Sequence, residues 1–139
     1  MNSLFMTIIS LLSFVPIQET AIENLSDYYI FVEQDDNTSM VSLTDLFTDA
    51  EKFRNKTIIV KGKVVKINPN ILGKNWIHIQ DGTKDDDGEF HDLTITSEEI
   101  FEVDDEIVIK GKIILDKNFG AGYIYDVIME EAESYKKRI

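Results

Sequence analysis

The chain is predicted to be all-β, a five-stranded barrel carrying an N-terminal amphipathic helix. Three observations predict this. Five runs rich in β-branched and aromatic residues follow one another, each bounded by turn residues. One segment ahead of them keeps the apolar spacing of a helix. The first and fourth runs also share a pattern, Ile58 to Val65 matching Ile107 to Ile114, with Gly62 and Gly111 in mid-strand. A mid-strand glycine marks a bend, a bulge or a close approach, and two long bent strands suit a small closed barrel.

The elements are read in chain order. Leu4 to Ile17 holds ten aliphatic, aromatic or Met residues in fourteen and no charge. That run suits the apolar region of a signal peptide and is too short to span a bilayer comfortably, so residues 1–18 are read as a signal peptide and the mature protein as exported and periplasmic, with no membrane span. The alternative is a buried N-terminal helix or strand. Residues 19–41 form an acidic arm, with a short strand at Tyr28 to Val32, a turn at Gln34 to Asn37 and a second strand at Met40-Val41.

Residues 42–133 form the domain, and 134–139 a tail. Ser42 caps a helix reaching Phe53, with Asp45 three residues on and Leu43, Leu46, Phe47, Ala50 and Phe53 on its buried face. The strands are Thr57 to Ile67, Trp76 to Gln80, Asp92 to Thr96, Glu106 to Leu115 and Tyr123 to Met129, with a helical turn expected at Ser97 to Phe101.

The 139 residues contain 26 acids, 14 bases and no cysteine, for a net charge of −12. No cysteine means no disulfide scaffold, thiolate zinc site or cysteine nucleophile. The acidic total argues against a general nucleic-acid coat. The charge is nevertheless uneven. Residues 1–51 hold nine acids and no Lys or Arg, whereas Lys52, Arg54, Lys56, Lys61, Lys63, Lys66 and Lys74 fall in 52–80 without one acid.

Five strands in this order, with a long kinked first strand, resemble the OB-fold. Gly73-Lys74-Asn75-Trp76-Ile77-His78-Ile79-Gln80-Asp81-Gly82-Thr83 and Asp116-Lys117-Asn118-Phe119-Gly120-Ala121-Gly122-Tyr123 are similar to two motifs of small exported bacterial OB-fold proteins, often labelled DNA-binding or nucleic-acid-binding. The resemblance covers about Ser42 to Glu133. It implies a five-stranded OB-fold barrel and binding of nucleic acid, and it supplies no catalytic residue. The chain lacks the cysteine of the lipoprotein members.

On that fold, ligands lie across strands two and three, between the loops Asn68 to Asn75 and Lys117 to Gly122. Alternation sends Ile77 and Ile79 inward and Trp76, His78 and Gln80 outward. Trp76, Phe119 and Tyr123 are then candidates to stack on a base, His78 and Gln80 to hydrogen-bond to it, and Lys61, Lys63 and Lys74 to meet phosphates. Each has a plainer alternative: Trp76 packs under the arm or helix, and the lysines pair with the acidic arm or solvate a face. Asp85 to Glu89 lacks EF-hand spacing and reads as an exposed acidic hairpin tip. His78 and His91 with Asp92 make too thin a set for zinc. No cofactor, metal or catalytic constellation is expected. The function expected is a non-enzymatic binding module for single-stranded nucleic acid or another anionic ligand. The alternatives are a cell-envelope protein-interaction module using the same face and, more remotely, a small-molecule or oligosaccharide binder, since rings also stack on sugars.

Overall fold

The computed structural model describes residues 38–135. The expected signal peptide, the strand at Tyr28 to Val32 and its following turn lie outside them.

Ser42 has extended backbone angles, and its hydroxyl accepts the Asp45 N–H, as a capping residue does. Helix α1 is short, Leu43–Thr48, and gives way to a 3-10 helix at Ala50–Phe53 rather than running on to Phe53 as an α-helix. The tighter winding suits the sequence: Phe47, Ala50 and Phe53 are spaced by three, the period that aligns side chains in a 3-10 helix, and all three pack on the core beside buried Leu43 and Leu46.

The strands are β1 (Thr57–Ile71), β2 (Lys74–Gln80), β3 (Leu93–Ser97), β4 (Glu106–Asn118) and β5 (Ile124–Ser134). They form one sheet that closes on itself in the order β1-β2-β3-β5-β4. Strand β1 makes this closure possible. Its first half, Thr57 to Lys63, pairs with β4, and its second half, from Lys63 onward, pairs with β2. Gly62 sits at the change of partner: a Cβ there would lie 3.1 Å from the Gln80 carbonyl oxygen. At Gly111 a Cβ would lie 2.5 Å from Met129 Cγ. Both glycines therefore mark close approaches.

Ile77, Ile79, Leu93, Ile95, Ile109, Ile113 and Met129 fill the interior, with Val60 and Val64 from β1. The ring is closed by a short parallel seam, Thr94 opposite Ile128 and Ile95 opposite Met129. Side chains extend it: the Ser97 hydroxyl donates to the Ala132 carbonyl, and the Glu99 carboxylate accepts the Ser134 N–H.

Several expected boundaries move. Strand β1 continues past Ile67 through Pro69 to Ile71, so the expected loop Asn68 to Asn75 becomes a hairpin turning on Leu72 and Gly73 alone. Pro69 is tolerated because the β1–β2 register shifts between Asn68 and Ile71. Strands β4 and β5 run longer than expected, so their connection is Phe119 to Tyr123. No helical turn forms at Ser97 to Phe101. Ser97 ends β3, its hydroxyl accepting the Glu99 N–H, while Asn75 Nδ2 donates to the Glu99 carbonyl. The expected strand at Met40-Val41 is a single parallel bridge from Met40 to Ile59. Among the described residues no helix is long and apolar enough to cross a membrane.

Candidate binding surface

The predicted site residues separate into two groups. Lys61, Lys63 and Gln80 border an open groove beside the first half of β1, together with Val65, Glu106 and Asp45. Trp76, Phe119 and Tyr123 gather where the β1–β2 and β4–β5 hairpins meet. His78 lies between the groups, its Nδ1 2.7 Å from Asp92 Oδ1, while Gln80 Nε2 donates to Asp92 Oδ2 at 3.2 Å. One carboxylate thus occupies both polar groups expected to read a ligand. His91 instead stacks on Phe47, with ring centroids 5.2 Å apart.

The lysine row has the expected orientation. Lys61 and Lys63 are exposed and alternate with buried Val60, Gly62 and Val64. The register sets Lys110 beside Ile59 and Lys112 beside Thr57, extending the row. Acids from the domain itself answer most of it. Lys63 pairs with Asp104 at 3.5 Å, and Glu133 and Glu130 stand opposite Lys110 and Lys112. Arg54 bridges Glu51 and Asp116, contacts that raise its pKa and lower that of Glu51. Lys74 borders a recess with Glu98, Glu99, Glu131 and Glu133. Lys61 and Lys66 have no carboxylate partner among the described residues.

Trp76 does not present its ring as a stacking platform. It is 7% exposed. Its Nε1–H donates to the Ile71 carbonyl at 2.9 Å, and its ring meets Phe119 edge-on at 4.9 Å and Tyr125 at 5.7 Å. The sequence alternation is right about the strand faces. It cannot foresee that the second hairpin lends two rings to cover the outward Trp. What remains outside is apolar: Ile71 (46% exposed), Leu72 (74%), Tyr123 (66%) and Ile124 (62%).

The turns display these side chains. Leu72 and Gly73 both have positive φ, 52° and 74°, as in the two-residue turns that favour Asn-Gly. A leucine there is disfavoured by about 1–2 kcal/mol, since its Cβ crowds the following carbonyl. The second turn has three positive φ values in succession, Gly120, Ala121 and Gly122. It is closed by the Phe119 N–H donating to the Tyr123 carbonyl and by Asn118 Oδ1 accepting the Gly120 N–H. Ile71, Leu72, Ile124 and Tyr125 were not among the expected site residues. The available signal was an apolar pair beside a turn glycine, hidden by reading Asn68 to Asn75 as a loop.

Asp81 ties this motif to the helix. Its Oδ2 accepts the Leu43 N–H at 2.7 Å, and its Oδ1 accepts the Thr83 N–H and hydroxyl. Partial burial pushes its pKa up, but the hydrogen bonds from Thr83 and Leu43 together outweigh that and hold it below the usual carboxylate range. Among the described residues no group of three or more His, Asp or Glu is placed to hold a metal ion.

No family model matches the chain, and no curated protein matches it. Among solved structures, it is similar to the crystal structure of a "putative aspartyl-tRNA synthetase" from Leishmania major Friedlin, with a TM-score of 0.44 and 8% identity. The match covers 71% of this chain and 21% of that one, so the chain spans about a fifth of that protein.

Proposed function

We propose that the protein is an exported, non-enzymatic binding module of the OB-fold type, and that its two hairpin ends bind an apolar segment of a partner protein. The closed strand order and the partner change along β1 support the fold reading. One observation carries the functional reading. Leu72 is held in a left-handed turn position, largely in water, beside exposed Ile71 and joined through Trp76 to the hairpin bearing Tyr123 and Ile124. The left-handed backbone opposes stability and the exposed apolar cluster gains none from burial, and their coincidence points to selection for contact. Aromatic and aliphatic anchors of this kind dominate protein interfaces.

A second reading, binding of single-stranded nucleic acid, draws on exposed Tyr123 and on Lys61 and Lys66. It is weakened by the acids that stand by Lys63, Lys110 and Lys112 in the row, because phosphate contact needs uncompensated charge.

Photo-crosslinking probes at Leu72, Tyr123 and, as a control, Ile100 test the first reading. Ile100 is 88% exposed and lies in the β3–β4 connection. Discrete adducts from Leu72 and Tyr123, absent from Ile100, are expected, and the adduct from Leu72 should be lost in Tyr123→Glu. Equal adducts from all three positions would reject the reading. Titration with short oligonucleotides at low salt tests the second. Binding that weakens steeply with salt, and with Lys61→Ala and Lys66→Ala, would replace the protein partner by nucleic acid.

A further inference from the structure

We propose that Trp76 is the positioning residue of this surface, holding the two hairpins by two separate contacts. The indole N–H fixes the β1–β2 hairpin, because it donates to the carbonyl of Ile71, the last residue before the turn. The ring fixes the β4–β5 hairpin, because it packs on Phe119 and Tyr125, which flank that turn and meet each other edge-on at 5.9 Å. Trp76 itself stands on β2 between Asn68 and Thr96, paired on both sides of the sheet. The brace is therefore anchored in a strand paired along both edges, whereas both tips lie beyond it.

The arrangement explains the residue type. Phenylalanine would fill much of the same space without the donor, and leucine would supply neither the donor nor an aromatic face. Among the described residues, the β4–β5 hairpin has few other side-chain ties at its tip. Lys117 stands over the Phe119 ring at 5.2 Å and reaches Glu130 at 3.5 Å, contacts that belong to the same hairpin. The β1–β2 tip has one further tie, the Asn70 N–H donating to Asn75 Oδ1 at 3.3 Å, which also stays within its own hairpin. The indole thus touches both hairpins.

Two substitutions separate the contacts. In Trp76→Phe, backbone order parameters from nitrogen-15 relaxation are expected to fall at Ile71 to Gly73 from about 0.85 toward 0.6, while Phe119 to Tyr123 keep their wild-type values. In Trp76→Leu both hairpins should loosen. If the Phe variant loosens both hairpins equally, or neither, the division of labour is wrong. If Trp76→Leu fails to fold, Phe119→Leu supplies the complementary arm: it should loosen Gly120 to Tyr123 and leave Ile71 to Gly73 unchanged, and loosening at both tips would overturn the proposal. These readouts need no ligand. Only the relevance of the brace to binding rests on the proposed function. Tyr123→Glu, which should abolish the crosslink with both hairpins still ordered, keeps failure of that reading distinct from failure of the brace.

Discussion

The lysine row along β1 and β4 and the hairpin end around Trp76 are both assembled from residues that sequence reasoning selects for binding, yet the fold treats them oppositely. Along the row, side chains point outward as alternation requires, and the sheet then brings acids to meet them: Asp104 at Lys63, Glu133 opposite Lys110, Glu130 opposite Lys112. At the hairpin end the ring expected to be open is covered, and neighbouring apolar side chains are pushed into water. Charge along a sequence is visible, but neutralisation is a property of cross-strand neighbours. Aromatic residues are visible too, but which of them lies uppermost depends on how two distant hairpins meet.

The sharpest way to test this contrast is to empty the hairpin end. Trp76→Ala should lower the unfolding free energy by about 3–5 kcal/mol, the usual effect of deleting a buried aromatic side chain, read from urea denaturation. A loss below about 1 kcal/mol would mean that the ring is not a packed element.

Asp81 supplies the next effect. Removing a helix cap costs about 0.5–2 kcal/mol, so Asp81→Ala should fall in that range at neutral pH. The folded-state pKa of Asp81 is depressed. Its contribution is therefore full above the unfolded value of about 3.9 and disappears as pH falls through the folded value. The difference between wild type and variant should shrink below about pH 4. A constant difference down to pH 2 would contradict the assignment.

Leu72→Asn should act in the opposite direction. It relieves the left-handed strain and raises stability by about 0.5–1 kcal/mol, while weakening any crosslink from Tyr123. A destabilised variant would show that Leu72 is packed rather than displayed. The smallest effect belongs to the lysine row: Lys61→Ala should change stability by less than about 0.5 kcal/mol in thermal unfolding, as exposed substitutions do.

Much of the closed sheet was legible because its signals are local. Ser42 as a cap, Ile77 and Ile79 as inward residues, and both mid-strand glycines follow from spacing and residue type. The site was less legible. Asp81 caps a helix 38 residues earlier in the chain, and no local pattern announces such a bond. Pro69 between two asparagines reads as a loop, and only the shifted register shows how a strand accommodates it. The helix at Ser42 was foreseen as longer because an apolar spacing of three fits the α and 3-10 forms alike.

The seam between β3 and β5 has a consequence for how the molecule assembles. Hairpins β1–β2 and β4–β5 join neighbours in the chain, whereas Thr94 and Ile128 must find each other across more than thirty residues for two ladder positions. Early pairing gives little return for that loop closure. The two hairpins should therefore form before the ring is sealed, and the side chains of Ser97 and Glu99 act as a latch fastened late. An open-ring form, with one flank of β3 and one of β5 unzipped, is the species from which exchange of strands between two molecules would begin.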